Sequence, residues 1–252
     1  MTESDPLISE RVILAIDAGN TRIKWGVHDG HAWSAAGAIA TAQSAGLYEA
    51  LRPALPVDAA IASNVAGPGV QADIERAAAA ANIPVTIIRA QREQLGVASS
   101  YRDTQQLGAD RWAALVAAHH KEPGHKLVVN AGTALTVDAL AGDGRFLGGL
   151  IVPGPALMRR CLDRGTAGLR LTEGAFDPLP ASTPDAITTG AIQACIGAIE
   201  RTAAAMSARG CPPRLIILSG GAAAEIAAGL SHETILHENL VLDGLLLIAR
   251  AG

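Results

Sequence analysis

The residues best suited to chemistry form a polar turn near the start of the sequence. Residues 17–24 read D-A-G-N-T-R-I-K and follow the apolar run 11–16, which predicts a buried strand. Gly19 allows a tight turn and a close approach to a phosphate, and the Asn and Thr after it can donate hydrogen bonds to phosphate oxygens. Asp17 could hold Mg²⁺ through water, and Lys24 could neutralise phosphate charge. The turn predicts a phosphate site, with a simple hairpin turn as the alternative.

A second glycine turn of the same kind lies near the middle of the chain. Residues 130–138 read N-A-G-T-A-L-T-V-D and follow the apolar run 126–129. In both places a predicted strand leads into a polar-Ala-Gly turn, a second strand, an Asp-Gly turn and a third strand. This repetition predicts a duplicated lobe, whose two turns could hold a nucleotide's phosphates from both sides. A plain doubly wound sheet is disfavoured, because neither half begins with the alternation of strands and helices that such a sheet needs. The alternative to duplication is a coincidence of two similar strand-turn patterns.

An acid and a guanidinium stand together where a helix is predicted to begin. Gly108-Ala109-Asp110-Arg111 opens a helical segment that ends at Lys121. One interpretation makes Asp110 the base toward a substrate hydroxyl and Arg111 the clamp for a substrate carboxylate. The other is an acid in a first helical turn, where the helix dipole favours it. The local sequence leaves both open.

A pair of glycines after a later strand offers a flat surface to a base. Ser219-Gly220-Gly221 follows the apolar run 213–218, and backbone without side chains could lie against an adenine. An ordinary turn from strand to helix is the alternative interpretation.

Composition narrows the classes to which the protein can belong. The 252 residues carry a net charge of −4 and no run of Lys and Arg set among aromatics, which disfavours nucleic-acid binding. Three scattered cysteines, none in a C-x-x-C pair, predict neither a disulfide nor a structural zinc site. No apolar stretch is long enough to span a membrane, and residues 1–10 lack the pattern of a signal peptide. We therefore expect a cytoplasmic protein without a membrane partner.

In combination, the motifs resemble those of the type III pantothenate kinases, also described as the Bvg accessory factor family. That family belongs to the acetate and sugar kinase, Hsp70 and actin superfamily. The resemblance extends over about residues 12–250. The segments that carry it, in chain order, are 17–26, 108–111, 130–138, 148–154, 182–183 and 219–221.

The resemblance implies an α/β fold of two ribonuclease-H-like lobes, each a mixed sheet flanked by helices, as in actin-like ATPases. We expect the N-terminal lobe at residues 11–124, the C-terminal lobe at residues 125–252, one phosphate turn in each, and a homodimer. The implied reaction transfers the γ-phosphate of ATP to the hydroxyl of pantothenate and gives 4'-phosphopantothenate, the first step of coenzyme A biosynthesis. The expected cofactors are Mg²⁺ and a monovalent cation, K⁺ or NH₄⁺.

Individual residues acquire expected roles from these motifs. Asp110 is the expected proton acceptor, and Asp17 is expected to hold Mg²⁺ through water. Substrate binding is expected at Tyr101, Gly108, Ala109, Asp110, Arg111 and Thr183, the last of them across the dimer interface. ATP binding is expected at Asp17, Ala18, Gly19, Asn20, Thr21, Arg22, Ile23, Lys24, Thr133, Gly220 and Gly221.

The sequence departs from the family pattern in two motifs. Asn130 stands where many members carry an Asp that helps to hold the monovalent cation, which puts the need for K⁺ or NH₄⁺ in question. Ser182 replaces the usual Asn before Thr183. Residues 1–10 precede the usual start of the family, and no function is predicted for them.

Two other functions are compatible with the same fold. One is a non-catalytic regulatory protein, because the family has also been described as an accessory factor for a virulence regulator. Asp17, Asp110, Arg111 and Thr133 favour an enzyme, since a protein without catalysis has no use for them. The other is a different small-molecule kinase, which would keep the phosphate turns but not the substrate residues; the fold alone does not separate the two.

Overall fold

The computed structural model describes residues 11–166 and 173–251. The chain divides into two compact units. The first unit is made of two segments, one that ends at Lys121 and one that begins at Asn239, and the second unit is Glu122–Glu238. The last helix, expected in the C-terminal lobe, therefore belongs to the first unit. The segment 1–10 lies outside the described residues.

The described residues form twelve strands. They are β1 (Ile13–Ala18), β2 (Arg22–His28), β3 (Trp33–Ala40), β4 (Ala59–Asn64), β5 (Val85–Ile87), β6 (Glu93–Gln94), β7 (Val97–Ser99), β8 (Lys126–Ala131), β9 (Ala134–Leu140), β10 (Arg145–Pro153), β11 (Leu215–Ser219) and β12 (Thr234–Leu236).

Seven α-helices accompany these strands in the described ranges. They are α1 (Leu47–Leu51), α2 (Pro68–Ala81), α3 (Ala109–Lys121), α4 (Pro155–Gly165), α5 (Thr183–Ala208), α6 (Ala223–Ala227) and α7 (Leu240–Ala251). Short 3₁₀ segments lie at Thr41–Gly46, Arg52–Ala54 and Thr104–Gln106.

The first unit is built on a five-stranded sheet in the order β3-β2-β1-β4-β5. β1 runs antiparallel to β2 and parallel to β4. Alternate residues of β1, among them Leu14 and Ile16, pack into a core with Ile74 of α2. The other residues of β1, which include Asp17, therefore face the opposite side of the sheet.

The second unit repeats this arrangement with its own strands. The strands that this unit contributes to its sheet follow the order β10-β9-β8-β11-β12, with β8 antiparallel to β9 and parallel to β11. One face packs against α5, where Leu127 and Val129 meet Cys195 and Ile199. Because the strand order and directions match those of the first unit, the predicted duplication of a mixed α/β lobe is confirmed.

The position of α7 has a physical cause in one glycine. α7 packs against α3 and β1 of the first unit. A Cβ atom added at Gly244 would overlap the carbonyl oxygen of Ala113, so only glycine lets the two helix backbones approach this closely.

Within the described residues, no helix combines the length and apolar character needed to cross a bilayer.

Candidate active site

The first glycine turn joins β1 to β2 and is held by its own backbone. The Gly19 N–H donates to the Arg22 carbonyl at 3.1 Å, and the Thr41 hydroxyl donates to the Gly19 carbonyl at 2.7 Å. The hairpin interpretation is therefore correct as a description of local structure. Asn20, Thr21 and Arg22 are exposed, whereas Ala18 and Ile23 are buried, so the last two can face a ligand only through backbone atoms.

Asp17 is half-buried near the end of β1 and is held by a serine from the neighbouring strand. The hydroxyl of Ser63, a fully buried residue of β4, donates to Asp17 Oδ1 at 2.8 Å. Burial raises the pKa of Asp17 to about 6; the Ser63 hydrogen bond opposes the rise, the charge of Asp110 adds to it, and that of Lys24 opposes it. Lys24 stands directly opposite Asp17 in the β1–β2 pairing.

Asp110 lies in the first turn of α3. Its Oδ1 accepts the backbone N–H of Arg111 at 2.8 Å, as the interpretation of a helix-terminal acid expects. Burial nevertheless raises the pKa of Asp110, while this hydrogen bond and the positive charge of Arg111 oppose the rise. The higher pKa makes the carboxylate a stronger base. A Cβ atom at Gly108 would stand 2.5 Å from Asp110 Oδ1, so the glycine keeps room for the acid.

Arg111 and Tyr101 form a contact beside Asp110. Arg111 Nη1 donates to Tyr101 Oη at 3.3 Å, and the guanidinium carbon lies 5.8 Å from the ring centroid. The side chain of Arg92, which the sequence did not single out, donates to the carbonyls of Ser99, Tyr101 and Arg102 and so fixes the segment that carries Tyr101. The expected substrate residues of the first unit, from Tyr101 through Arg111, thus lie together.

In the second unit, three glycine-bearing turns meet at the ends of β8, β10 and β11. The Gly154 N–H donates to the Thr133 carbonyl at 2.9 Å, and a Cβ at Gly154 would overlap the Gly132 carbonyl. A Cβ at Gly220 would stand 2.5 Å from the Ala131 carbonyl, and Gly220 has a φ of +98°. Thr133 and Gly221 are exposed. The expected Thr133 turn and glycine pair are therefore brought together with Gly154, which lies in the 148–154 motif but was given no role from the sequence.

Asn130 and Thr183 occupy different parts of the second unit. Asn130 lies near the end of β8, opposite Thr136 of β9 and beside Ser219 of β11. Thr183 is exposed at the first position of α5. The Ser182 hydroxyl accepts the Asp185 N–H at 3.3 Å and so caps the helix, a role that Ser and Asn perform about equally well. The Ser182 departure therefore leaves the local structure around Thr183 intact.

The ends of the parallel strands define the kind of site. β1 and β4 present Asp17 and Ser63, and in the repeat β8 and β11 present Asn130 and Ser219. Ligands of α/β sheets bind beyond the carboxyl ends of such strands.

A protein from Campylobacter jejuni described as a candidate Baf family transcriptional activator shares the fold, with a TM-score of 0.62 at 20% identity over 94% of this chain and 98% of that one. A candidate N-acetylmannosamine kinase from Listeria monocytogenes has a TM-score of 0.55 at 15% identity, covering 94% and 98%.

The two repeated mixed α/β units place the chain in the class of fold that these two structures share. Within that class, the chain belongs to the type III pantothenate kinase family, whose model matches residues 13–205. The type III pantothenate kinase of Nitrosospira multiformis is 44% identical over 240 residues, which cover 95% of this chain and 91% of that protein.

Proposed function

We propose that the protein transfers the γ-phosphate of ATP to the hydroxyl of pantothenate, giving 4'-phosphopantothenate for coenzyme A biosynthesis. The observation that carries the proposal is the set of Tyr101, Asp110 and Arg111 in the same unit as the Asp17 turn, in a chain of this family. A cytoplasmic location and the absence of nucleic-acid or membrane partners belong to the same proposal, since ATP is the donor and the net charge is −4.

The chain's own residues supply positioning and proton acceptance. Asp110 accepts the proton of the substrate hydroxyl, which a raised pKa favours. Arg111, oriented on Tyr101, binds the pantothenate carboxylate through its planar fork. The exposed Asn20 and Thr21 and the turn at Thr133 donate hydrogen bonds to phosphate oxygens, and Gly220 and Gly221 face the adenine.

A divalent cation fits the surroundings of Asp17. The charge of Asp110 raises the pKa of Asp17, so two mutually repelling carboxylates lie near each other, a situation that a cation relieves. In the described ranges, no group of three or more His, Cys, Asp or Glu is arranged to hold a metal ion. This fits Mg²⁺, which keeps much of its water and binds phosphate oxygens, with Asp17 holding it through water. When bound, the ion neutralises charge on the transferred phosphate.

The test of the proposal is identification of the product by mass. The protein is incubated with ATP, Mg²⁺ and pantothenate, and in parallel without pantothenate. We expect 4'-phosphopantothenate and ATP consumption only in the first mixture. No turnover in either would favour the regulatory alternative, and ATP consumption with another small alcohol but not with pantothenate would favour a different kinase of the class.

The monovalent cation gives a prediction at Asn130. Because an amide lacks the charge of a carboxylate, we expect activation by K⁺ to be weak or absent in the native protein. Asn130→Asp should lower the KCl concentration for half-maximal rate by about tenfold, equivalent to about 1.4 kcal/mol. Rates are titrated against KCl, with NaCl as the control. Saturation of the native enzyme at trace K⁺ would refute the expectation.

A homodimer is also proposed, and the surface of the second unit supports it. Ile151, Phe176 and Leu179 are 61%, 45% and 88% exposed. On α5 the exposed face carries Gly190 and Gly197, and an added Cβ at either would meet no atom within 4 Å. Small residues allow close packing of a second helix, and self-complementary two-fold contacts are the commonest. The dimer would bring Thr183 of one subunit to the substrate of the other.

Gly197→Arg tests this surface without disturbing the single chain. The new side chain has room on the isolated subunit but would occupy the space of a partner. We expect light scattering to show a monomer and pantothenate turnover to fall with it. Gly69→Arg places the same change at an equally open helical glycine of the first unit and should leave the dimer intact. An active monomer in the native protein would contradict the proposal.

A further inference from the structure

Ser63 carries a buried hydroxyl at the same level of the first sheet as Asp17. In the parallel pairing of β1 and β4 the two residues lie side by side, so their side chains project from the same face of the sheet. Ser63 is 0% exposed, and its hydroxyl donates to Asp17 Oδ1 at 2.8 Å. Because bulk water does not compete for a buried hydroxyl, this hydrogen bond holds the carboxylate in one orientation.

The bond occupies one carboxylate oxygen of Asp17 and leaves the other available. Within the described residues, the Ser63 hydroxyl is the only group that donates a hydrogen bond to this carboxylate. Lys24, opposite Asp17 in the β1–β2 pairing, acts on it through charge. A carboxylate that holds Mg²⁺ through water needs an oxygen that can accept a hydrogen bond from that water. The Ser63 bond leaves Oδ2 for this purpose.

The second unit shows that the duplicated strand pairing does not by itself require such a contact. Ser219 of β11 lies beside Asn130 of β8, as Ser63 lies beside Asp17. The Ser219 hydroxyl donates instead to the Glu238 carbonyl, at 3.4 Å. The contact between the serine and the β1 side chain is therefore specific to the unit in which that side chain is an acid.

We propose that Ser63 is a positioning residue, which holds the carboxylate of Asp17 in the orientation that binds Mg²⁺ through water beside the nucleotide. This inference rests on the proposed function, in which Asp17 holds the ion. Residues that orient a metal-binding group typically contribute about 10–100-fold to metal affinity. Because Asp17 acts through water, we expect the contribution of Ser63 to be about tenfold, at the lower end of that range.

The first experiment measures nucleotide binding without turnover. The probe is AMP-PNP, a non-hydrolysable ATP analogue, and its Kd is measured by calorimetry in Mg²⁺ and in EDTA. The ratio of the Kd in EDTA to the Kd in Mg²⁺ defines the Mg²⁺ enhancement. Ser63→Ala should lower this enhancement about tenfold and leave the Kd in EDTA unchanged, which also shows that the variant is folded. An unchanged enhancement, equal weakening in both solutions, or a native protein without enhancement would overturn the proposal.

Ser44→Ala is the matched control for the loss of a buried serine hydroxyl. Ser44 is also buried in the first unit, and its hydroxyl donates to the carboxylate of Asp73. Asp73 belongs to α2, which packs on the face of the sheet opposite Asp17. The control therefore removes the same kind of hydrogen bond away from the turn, and the Mg²⁺ enhancement should stay at the native value. An equal decrease in both variants would show that the effect of Ser63 is only structural.

A double variant tests whether Ser63 acts through Asp17. Asp17→Asn should itself lower the Mg²⁺ enhancement, and adding Ser63→Ala should lower it no further, because contacting residues with one shared effect are not additive. A further decrease in the double variant would refute the positioning role.

The product assay of the native protein separates this inference from the proposed function. If no 4'-phosphopantothenate forms but the Mg²⁺ enhancement depends on Ser63 and Asp17, the proposed substrate is wrong and the positioning role stands. If the product forms and the enhancement is independent of Ser63, the positioning role is wrong and the proposed function stands.

Discussion

Asp110→Asn should lower kcat by about 10²–10⁴-fold while leaving the affinity for ATP nearly unchanged. The amide keeps the shape of the side chain and can still accept the Arg111 N–H, so the start of α3 should be preserved. What the variant loses is a carboxylate whose pKa burial has raised, and with it the acceptor for the hydroxyl proton. In the loose transition states that are common in kinases, the hydroxyl loses its proton late, so we expect the decrease in kcat to be near the lower end of this range. Steady-state kinetics with both substrates measure the effect.

Arg111→Lys is the matched comparison for Asp110→Asn. It keeps the positive charge but loses the planar fork and the contact with Tyr101, so KM for pantothenate should rise more than kcat falls. The pH profile supplies a second control: the native kcat should fall at low pH as Asp110 and Asp17 become protonated, and in Asp110→Asn only the limb caused by Asp17, whose pKa burial raises to about 6, should remain. If Asp110→Asn changes only KM for pantothenate, Asp110 binds substrate and the proton leaves by another route.

Asp17→Asn should lower the rate by about 10²-fold or more and, at the same time, make the ligand-free protein more stable at neutral pH. The folded state disfavours the charged form of Asp17, since burial raises its pKa from 3.8 to about 6. The free energy of unfolding is therefore lowered by the charged Asp17 carboxylate above pH 6, and this loss of stability disappears as the pH falls toward 4. Its removal should therefore stabilise the variant by about 1–3 kcal/mol near pH 8, at about 1.4 kcal/mol for each unit of the shift. The amide oxygen can still accept the Ser63 hydroxyl.

Urea unfolding at pH 8 and at pH 4, without nucleotide or metal, measures this gain and its loss. Asp29→Asn, in the turn after β2, is the control, because backbone hydrogen bonds from Ala32 and His31 lower the pKa of Asp29 and its charge should not destabilise the fold. Full activity of Asp17→Asn would show that the Asp17 turn is not part of the nucleotide site. Equal stability of variant and native protein at pH 8 would show that the buried charge carries no penalty.

The duplicated turns could be predicted because the signals for them are local. An apolar strand, a glycine and an Asp-Gly turn stand within a few residues of one another, and each segment forms where its own pattern indicates. β12 and the β6–β7 hairpin were not predicted. Each strand of these is two or three residues long and shows no alternating pattern, so its existence depends on the backbone that it pairs with.

The sequence by itself determined the class of fold, the two polar-Ala-Gly turns and the motif around Asp110, because the chemistry of those segments is carried by adjacent residues. Tertiary structure alone decided which distant groups meet. It placed the Ser63 hydroxyl on Asp17, Gly154 on the Thr133 turn, and α7 on α3 of the first unit. It also raised the pKa of Asp17. Burial and through-space charge depend on distances that packing sets, and no short stretch of sequence specifies them.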